Sequence, residues 1–216
     1  MSNFLSILFF IFISINTFAQ RGGLLIQQYN KGPSLGQTYS KWNLHAGPEI
    51  SLINAELRTS SPLFSVGATI NIEYLFSKTV GLLTGLNYTP ISYKYSVSDS
   101  LVNDRIKYIS IPLFLRVHPT DRVSLNFGVQ YNHFQKGEKI ISFNNTLINK
   151  RYKKGIFENS FGYVLQVGYH FWEQFYSYLN YRWVKKTSPI TQPETNNSKG
   201  LQLGMTYTFW NSAKRQ

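Results

Sequence analysis

Residues Ile106–Pro119 read IKYISIPLFLRVHP, and the alternation inside this stretch decides the fold. From Ile109 onward every second residue is aliphatic: Ile109, Ile111, Leu113, Leu115 and Val117. The residues between them, Ser110, Pro112, Phe114, Arg116 and His118, are mixed and carry charge. A period of two places the two sets on opposite faces of an extended strand. One face suits lipid and the other a crowded polar interior, so the stretch reads as one stave of a transmembrane barrel.

The same pattern recurs on both sides of it. Trp42, Leu44, Ala46, Pro48, Ile50 and Leu52 alternate with Asn43, His45, Gly47, Glu49 and Ser51. Phe64 to Phe76 sets Val66, Ala68, Ile70, Ile72 and Tyr74 against Gly67, Thr69, Asn71 and Glu73. Val80–Tyr95 alternates as far as Pro90 and blurs beyond it. Further strands are expected around Val123–Tyr131, Phe161–Phe171, Phe175–Trp183 and Leu201–Phe209. With the opening stretch these make an all-β, eight-stranded antiparallel transmembrane β-barrel, an even strand number as bacterial barrels require. Short links (Ser77–Thr79, Pro119–Arg122, Trp172–Gln174) alternate with long polar ones at Ile53–Pro62, Ser96–Arg105, Gln135–Glu158 and Lys185–Lys199. That asymmetry predicts periplasmic turns, extracellular loops and both termini in the periplasm, with Lys139–Phe143 extending as a hairpin.

The first twenty residues contain no charged side chain, and Leu5–Ile15 is apolar. Thr17-Phe18-Ala19 offers small residues where a signal peptidase reads, so residues 1–19 are expected to be a cleaved secretory signal; an uncleaved anchor is the alternative. The expected organisation continues with a periplasmic lead-in at 20–40, a barrel at 41–210 and a short periplasmic tail at 211–216. No cysteine is present, which excludes disulfides and a lipid-anchored cysteine. A composition of 15 Tyr, 16 Phe and 4 Trp is too aromatic for a disordered chain. The net charge of +12 points, in an exported protein, to anionic lipopolysaccharide or an acidic protein rather than nucleic acid.

A soluble, lipocalin-like barrel with the apolar face inward is the competing architecture. The small residues on the polar faces and the aromatics near strand ends oppose it, because they fit a narrow lumen and an interfacial girdle. Pro112 and Pro48 each remove a ladder donor inside a closed sheet, so a local bulge is expected at Pro112 and the same question arises at Pro48.

Several segments together carry a family resemblance: the export signal ending FAQ, IPLFLRV with Pro112, SLNFGVQYN, FYSYLNYRW and the GLQLGMTYTF finish. The chain resembles the PorT-like outer-membrane β-barrel family over essentially its whole mature length. The resemblance implies an integral outer-membrane protein, inserted by the barrel-assembly machinery, with an accessory role in protein secretion as one option. The WNSAKRQ that follows departs from the usual aromatic last residue.

Inward parity places Glu49, Glu73, Arg116 and Arg182 in the lumen, with Asn71, Asn126, Gln130, Gln166 and Asn180 between them. Side chains can fill an eight-stranded interior, so a paired plug is expected in preference to a charged pore for small solutes. Lipid A-modifying catalysis needs a histidine beside a serine with an orienting carboxylate. His45, His118, His133 and His170 show no such arrangement, and with no cysteine they predict no catalytic, cofactor or metal site. The basic stretch Gln135–Glu158 offers Lys150, Arg151, Lys153 and Lys154 as contacts for lipopolysaccharide phosphates or an acidic envelope partner. The expected function is a non-enzymatic, structural or accessory component of an envelope assembly.

Overall fold

The computed structural model describes residues 40–56, 60–97, 100–143, 146–152, 156–172, 174–184 and 197–212. The expected signal peptide, the lead-in up to residue 39 and the tail beyond Ser212 lie outside them. The strands are β1 (Trp42–Ala55), β2 (Ser61–Leu63), β3 (Ser65–Leu75), β4 (Val80–Val97), β5 (Ser100–Val117), β6 (Val123–Phe143), β7 (Thr146–Arg151), β8 (Ser160–Trp172), β9 (Phe175–Val184) and β10 (Ser198–Asn211). Antiparallel ladders run β1–β3–β4–β5–β6–β8–β9–β10, and β10 returns to β1, so eight strands close into a ring. The two short strands are appendages, β2 on β4 and β7 on β6.

Side chains sort across the wall as the alternation predicts. Ile109, Ile111, Leu113 and Leu115 of β5 are exposed, as are Leu165 and Val167 of β8 and Leu201, Leu203 and Met205 of β10. Ser110, Arg116, Ser124, Asn126 and Arg182 on the other face are buried. A soluble barrel would have the reverse sorting, which rules that alternative out. Aromatic pairs rim the short-turn end of the belt, including Trp42–Tyr74 at 4.5 Å and Phe175–Tyr207 at 5.2 Å between ring centroids. At that end the turns are tied together by His118 N–H donating to Thr79 O, His170 N–H to Arg122 O and Thr208 N–H to Gln174 O, each at 2.7 Å. Ser40 and Ser212 clasp the β1–β10 seam there: Ser212 N–H donates to Ser40 Oγ at 2.9 Å.

The prolines are accommodated without the expected bulge. On β5, Pro112 keeps its pairing with Gln130 of β6, while the ladder to β4 lapses between Leu113↔Thr84 and Ser110↔Asn87 and resumes in the same register. Thr84 Oγ1 donates to Pro112 O at 2.8 Å across that lapse. Pro48 pairs with Ala68 of β3, and the β10 ladder skips only Gly47 and Pro48. A missing donor is thus confined to one side of the strand, and the other side holds the register. Register shifts occur elsewhere, at Leu44/His45, Lys107/Tyr108 and His170/Trp172.

The links Ser96–Arg105 and Gln135–Glu158 also differ from their expected form as loops. A membrane-spanning strand needs roughly 9–11 residues, whereas β4 and β5 have 18 residues each and β6 has 21. The surplus is a β extension at the long-strand end, continued by the β6–β7 hairpin in the position foreseen for Lys139–Phe143. It folds because its inward face turns apolar: Ile91, Tyr93 and Tyr95 of β4 and Val102, Ile106 and Tyr108 of β5 pack with Ile53, Ala55 and Phe157. Opposite Lys107/Tyr108 an extra residue, Gln135, keeps Phe134 on this cluster and turns Lys136 outward.

One acid lies inside this apolar layer. Asp104 is 0% exposed, stands opposite Tyr93 and Lys139, and neither carboxylate oxygen has a hydrogen-bond partner among the described residues. It lies beyond the apolar belt, since outward positions change from Ile109 to Lys107 and Arg105 before it is reached. Burial raises its pKa above the usual carboxylate value, against the pull of the nearby Tyr152 and Tyr93 hydroxyls and then of the Lys139 ammonium. A raised folded pKa means the stabilising contribution is complete below the ordinary aspartate pKa and is lost as pH rises through the folded value. Asp104→Asn should therefore strengthen the extension at pH 7, by about 1–2 kcal/mol, with the gain disappearing in acid. Amide exchange of β4–β7 measured at both pH values tests this, and weaker protection of the variant at pH 7 would refute it.

Candidate functional site

The charges read as inward in the sequence stand on the lumen wall, and Glu73 is the centre of the largest group. Its Oε1 accepts from Arg116 Nη1 at 2.9 Å and lies 3.1 Å from His118 Nε2. Its Oε2 accepts from Asn43 Nδ2 at 3.0 Å and lies 3.2 Å from His45 Nε2. Strand register causes this convergence: Asn43 sits directly opposite Glu73 across the β1–β3 ladder, and β5, two strands along the ring from β3, brings Arg116 and, just past its end, His118. Arg116 Nε also donates to Asn126 Oδ1 at 3.0 Å, and its guanidinium carbon lies 4.7 Å from the centre of the Tyr176 ring. Asn126 bonds onward to Gln166, and Tyr176 shares a 2.7 Å hydrogen bond with Ser124. Arg116 is 1% exposed, so the pair is desolvated and its partners must satisfy nearly every donor.

Further along the strands the lumen is closed by other groups. Leu83, Phe114 and Val164 form a small apolar contact. Glu49 accepts from Gln202 Nε2 at 2.7 Å and from the Tyr178 hydroxyl at 3.0 Å. Arg182 Nη2 donates to Asn132 Oδ1 at 3.2 Å, and Ser110 Oγ donates to the same oxygen at 2.8 Å. Among the described residues no ion pair joins Glu49 to Arg182. Two inward tyrosines of β9 lie over glycines of the strands beside it: a Cβ on Gly168 would meet the Tyr176 hydroxyl at 1.8 Å, and one on Gly204 would meet the Tyr178 ring at 2.1 Å.

The four charges expected in the lumen are therefore buried but fall into three neighbourhoods, around Glu73–Arg116, Glu49 and Arg182. Asn126 and Gln166 join the first; Asn71, Gln130 and Asn180 are buried as well. Tyr176, Tyr178, Asn132 and Gln202 complete these neighbourhoods without having been picked out from the sequence, and His45, weighed there only as a catalytic histidine, joins the first. All share the inward parity, and the two tyrosines were obscured by the many aromatics that face lipid. Thr208, His45 and Glu73 are connected as nucleophile, base and orienting acid would be, with His45 Nδ1 at 2.8 Å from Thr208 Oγ1. Glu73, however, is already engaged by Arg116, and His45 is 4% exposed. His133 is exposed on the outer wall opposite Ile109. Among the described residues no group of three His, Cys, Asp or Glu side chains could hold a metal ion. Lys150 and Arg151 are exposed on β7; Lys153 and Lys154 lie outside the described residues.

Comparison with known proteins gives the following. The family model described as outer membrane protein beta-barrel domain matches residues 5–209. No curated protein sequence matches the chain. Among solved structures, the fold is similar to that of Ail, the attachment invasion locus protein of Yersinia pestis, at 13% identity over 80% of this chain and 100% of that one, with a TM-score of 0.44. It is similar to Neisserial surface protein A at 12% identity, covering 79% and 98%, TM-score 0.47. The outer membrane protein OprG from Pseudomonas aeruginosa matches at 15% identity, covering 81% and 98%, TM-score 0.45.

The energetics of the Glu73 group can be measured directly. Arg116→Met leaves a buried carboxylate without its charge partner and should destabilise the barrel by about 3–5 kcal/mol. The double substitution Glu73→Gln with Arg116→Met should cost clearly less than the two single changes added together. Urea unfolding in lipid vesicles provides the comparison, and a neutral Arg116→Met would show that the pair does not hold the lumen.

Proposed function

The chain belongs to the outer membrane protein β-barrel domain family and is an integral outer-membrane protein, and from that membership we propose that it is a non-conducting barrel serving as an accessory component of a larger envelope assembly. The observation that carries this reading is the filling of its interior. Arg116, Phe114, Tyr178 and Arg182 are all buried inside the ring, and the extension adds a buried aromatic layer. A passage interrupted in this way favours a plug over a conduit for small solutes, and it leaves the extension as the working surface. Protein secretion is the form of that role suggested by the PorT-like segments.

The extension is suited to docking. β7 pairs with β6 along one edge, all six of its residues are exposed, and Leu147 and Ile148 stand close in sequence to Lys150 and Arg151. Half of its backbone N–H and C=O groups face away from β6, as an added strand of an acidic partner would require. In this reading the short turns and the Ser40–Ser212 clasp are periplasmic and the extension is extracellular, as the asymmetry of turn length suggests. A non-enzymatic role fits this reading, since among the described residues the Glu73–histidine group is engaged by Arg116.

Three measurements test the proposal. In planar bilayers the purified barrel should carry no measurable current; steady single-channel steps would overturn the plug. Purified in mild detergent through a tag after Gln216, it should retain a stoichiometric large envelope protein through gel filtration, and a solitary barrel would refute the accessory role. Because the chain has no cysteine, orientation can be read with single substitutions. Leu147→Cys should react with an impermeant maleimide on intact cells and Lys78→Cys only after permeabilisation, and the opposite pattern would invert the barrel.

A further inference from the structure

The outer wall has a gap where Pro90 interrupts the sheet. The β3–β4 ladder ends at Ala68↔Tyr88, and pairing to β4 resumes only at Leu63↔Ser92 of β2. Pro90 has no N–H to offer across the interval, and Phe64 separates β2 from β3. The result is a groove of about 280 Å³ lined by Leu63, Phe64, Val66, Tyr88, Arg105 and Lys107, among others. Its floor is apolar and strongly exposed, with Phe64 at 62% and Val66 at 61%. Lys107 stands opposite Pro90 and Arg105 opposite Ser92, so both cations border the gap.

We propose that this groove binds a phosphorylated glycolipid of the lipid A class, taken from the leaflet that faces the extension. The apolar floor continues the lipid-facing belt, so an acyl chain is the occupant that the surroundings supply. The two cations begin where the belt ends, at the height of a lipid headgroup. Neither has a carboxylate within ion-pair distance among the described residues, because Glu138, which faces Arg105 across the ladder, is engaged by Lys136 at 3.2 Å. The basic strip is also wider than one phosphodiester: Lys94, Lys136 and Arg151 continue it, so it spans four adjacent strands, β4 to β7. At the usual strand spacing that is about 14 Å, the width of a sugar headgroup with a phosphate at each end. Charge-assisted bonds from Arg105 and Lys107 would hold one phosphate over the groove. The proposal rests on the orientation given above, because only one leaflet of the outer membrane holds this lipid; it is independent of the accessory role.

The test uses the full barrel in detergent, with diphosphoryl lipid A, its dephosphorylated form and phosphatidylglycerol as separate probes, read by native mass spectrometry. A one-to-one adduct with diphosphoryl lipid A is expected. Its affinity should fall roughly tenfold or more in the Arg105→Gln/Lys107→Gln double variant, and Lys78→Gln should leave it unchanged. Equal binding by the double variant, by dephosphorylated lipid A or by phosphatidylglycerol would overturn the proposal. The probe comparison needs only the unaltered protein, so it decides the question even if the double variant fails to fold. Maleimide labelling of Leu147→Cys reads the orientation separately, so an inverted barrel and a barrel without a lipid site give different results.

Discussion

In hydrocarbon an unpaired backbone N–H has no water to turn to, and the rest of this molecule follows from that constraint. It explains why the eight ladders close on themselves and why β10 must find β1 across the whole length of the chain. It also explains how prolines survive inside the wall. Pro112, Pro48 and Pro90 each face one neighbour with no donor while remaining in register with the other, so no strand loses both supports at one residue. A side-chain hydroxyl bonds the proline carbonyl in two of these places, Thr84 at Pro112 and Ser51 at Pro90; the longer interval beside Pro90 nonetheless leaves a groove on the surface.

Closing the ring with an apolar exterior leaves the polar side chains facing inward, where they must satisfy one another. Glu73 does so with donors from β1 and β5 and an arginine held by a further asparagine, while Tyr176 and Tyr178 span the space that glycines leave. Such an interior is a poor source of net stability, because desolvating the charges consumes most of what their pairing returns. Its effect is specificity of register: a slip of one residue between β1 and β3 would turn Glu73 toward lipid and away from every partner it has.

Fold and inward-facing residues were legible in the sequence because both depend on a period of two, which Ile109–Val117 displays without interruption. The extension was not, and the reason is chemical. Alternation continues through Val102–Tyr108, but the buried face becomes apolar while Arg105 and Lys107 occupy the outer one, so the segment resembles a polar loop when judged by composition. The bulge at Gln135 hides it further by reversing parity midway through β6. The distribution of charges into separate groups was equally out of reach, since parity gives the face of a residue but not its height relative to residues on distant strands.

The long strands are all on one flank. β4, β5 and β6 have 18, 18 and 21 residues, whereas β9 has 10 and β3 has 11. Viewed down its axis, the described barrel therefore has a front and a back. A uniform cylinder can spin in the membrane without consequence, but this one presents its ridge and its basic strip in a single compass direction. Any neighbour that recognises them must meet the barrel at a fixed azimuth, and crowding of the bilayer on the plain side would leave that encounter unobstructed.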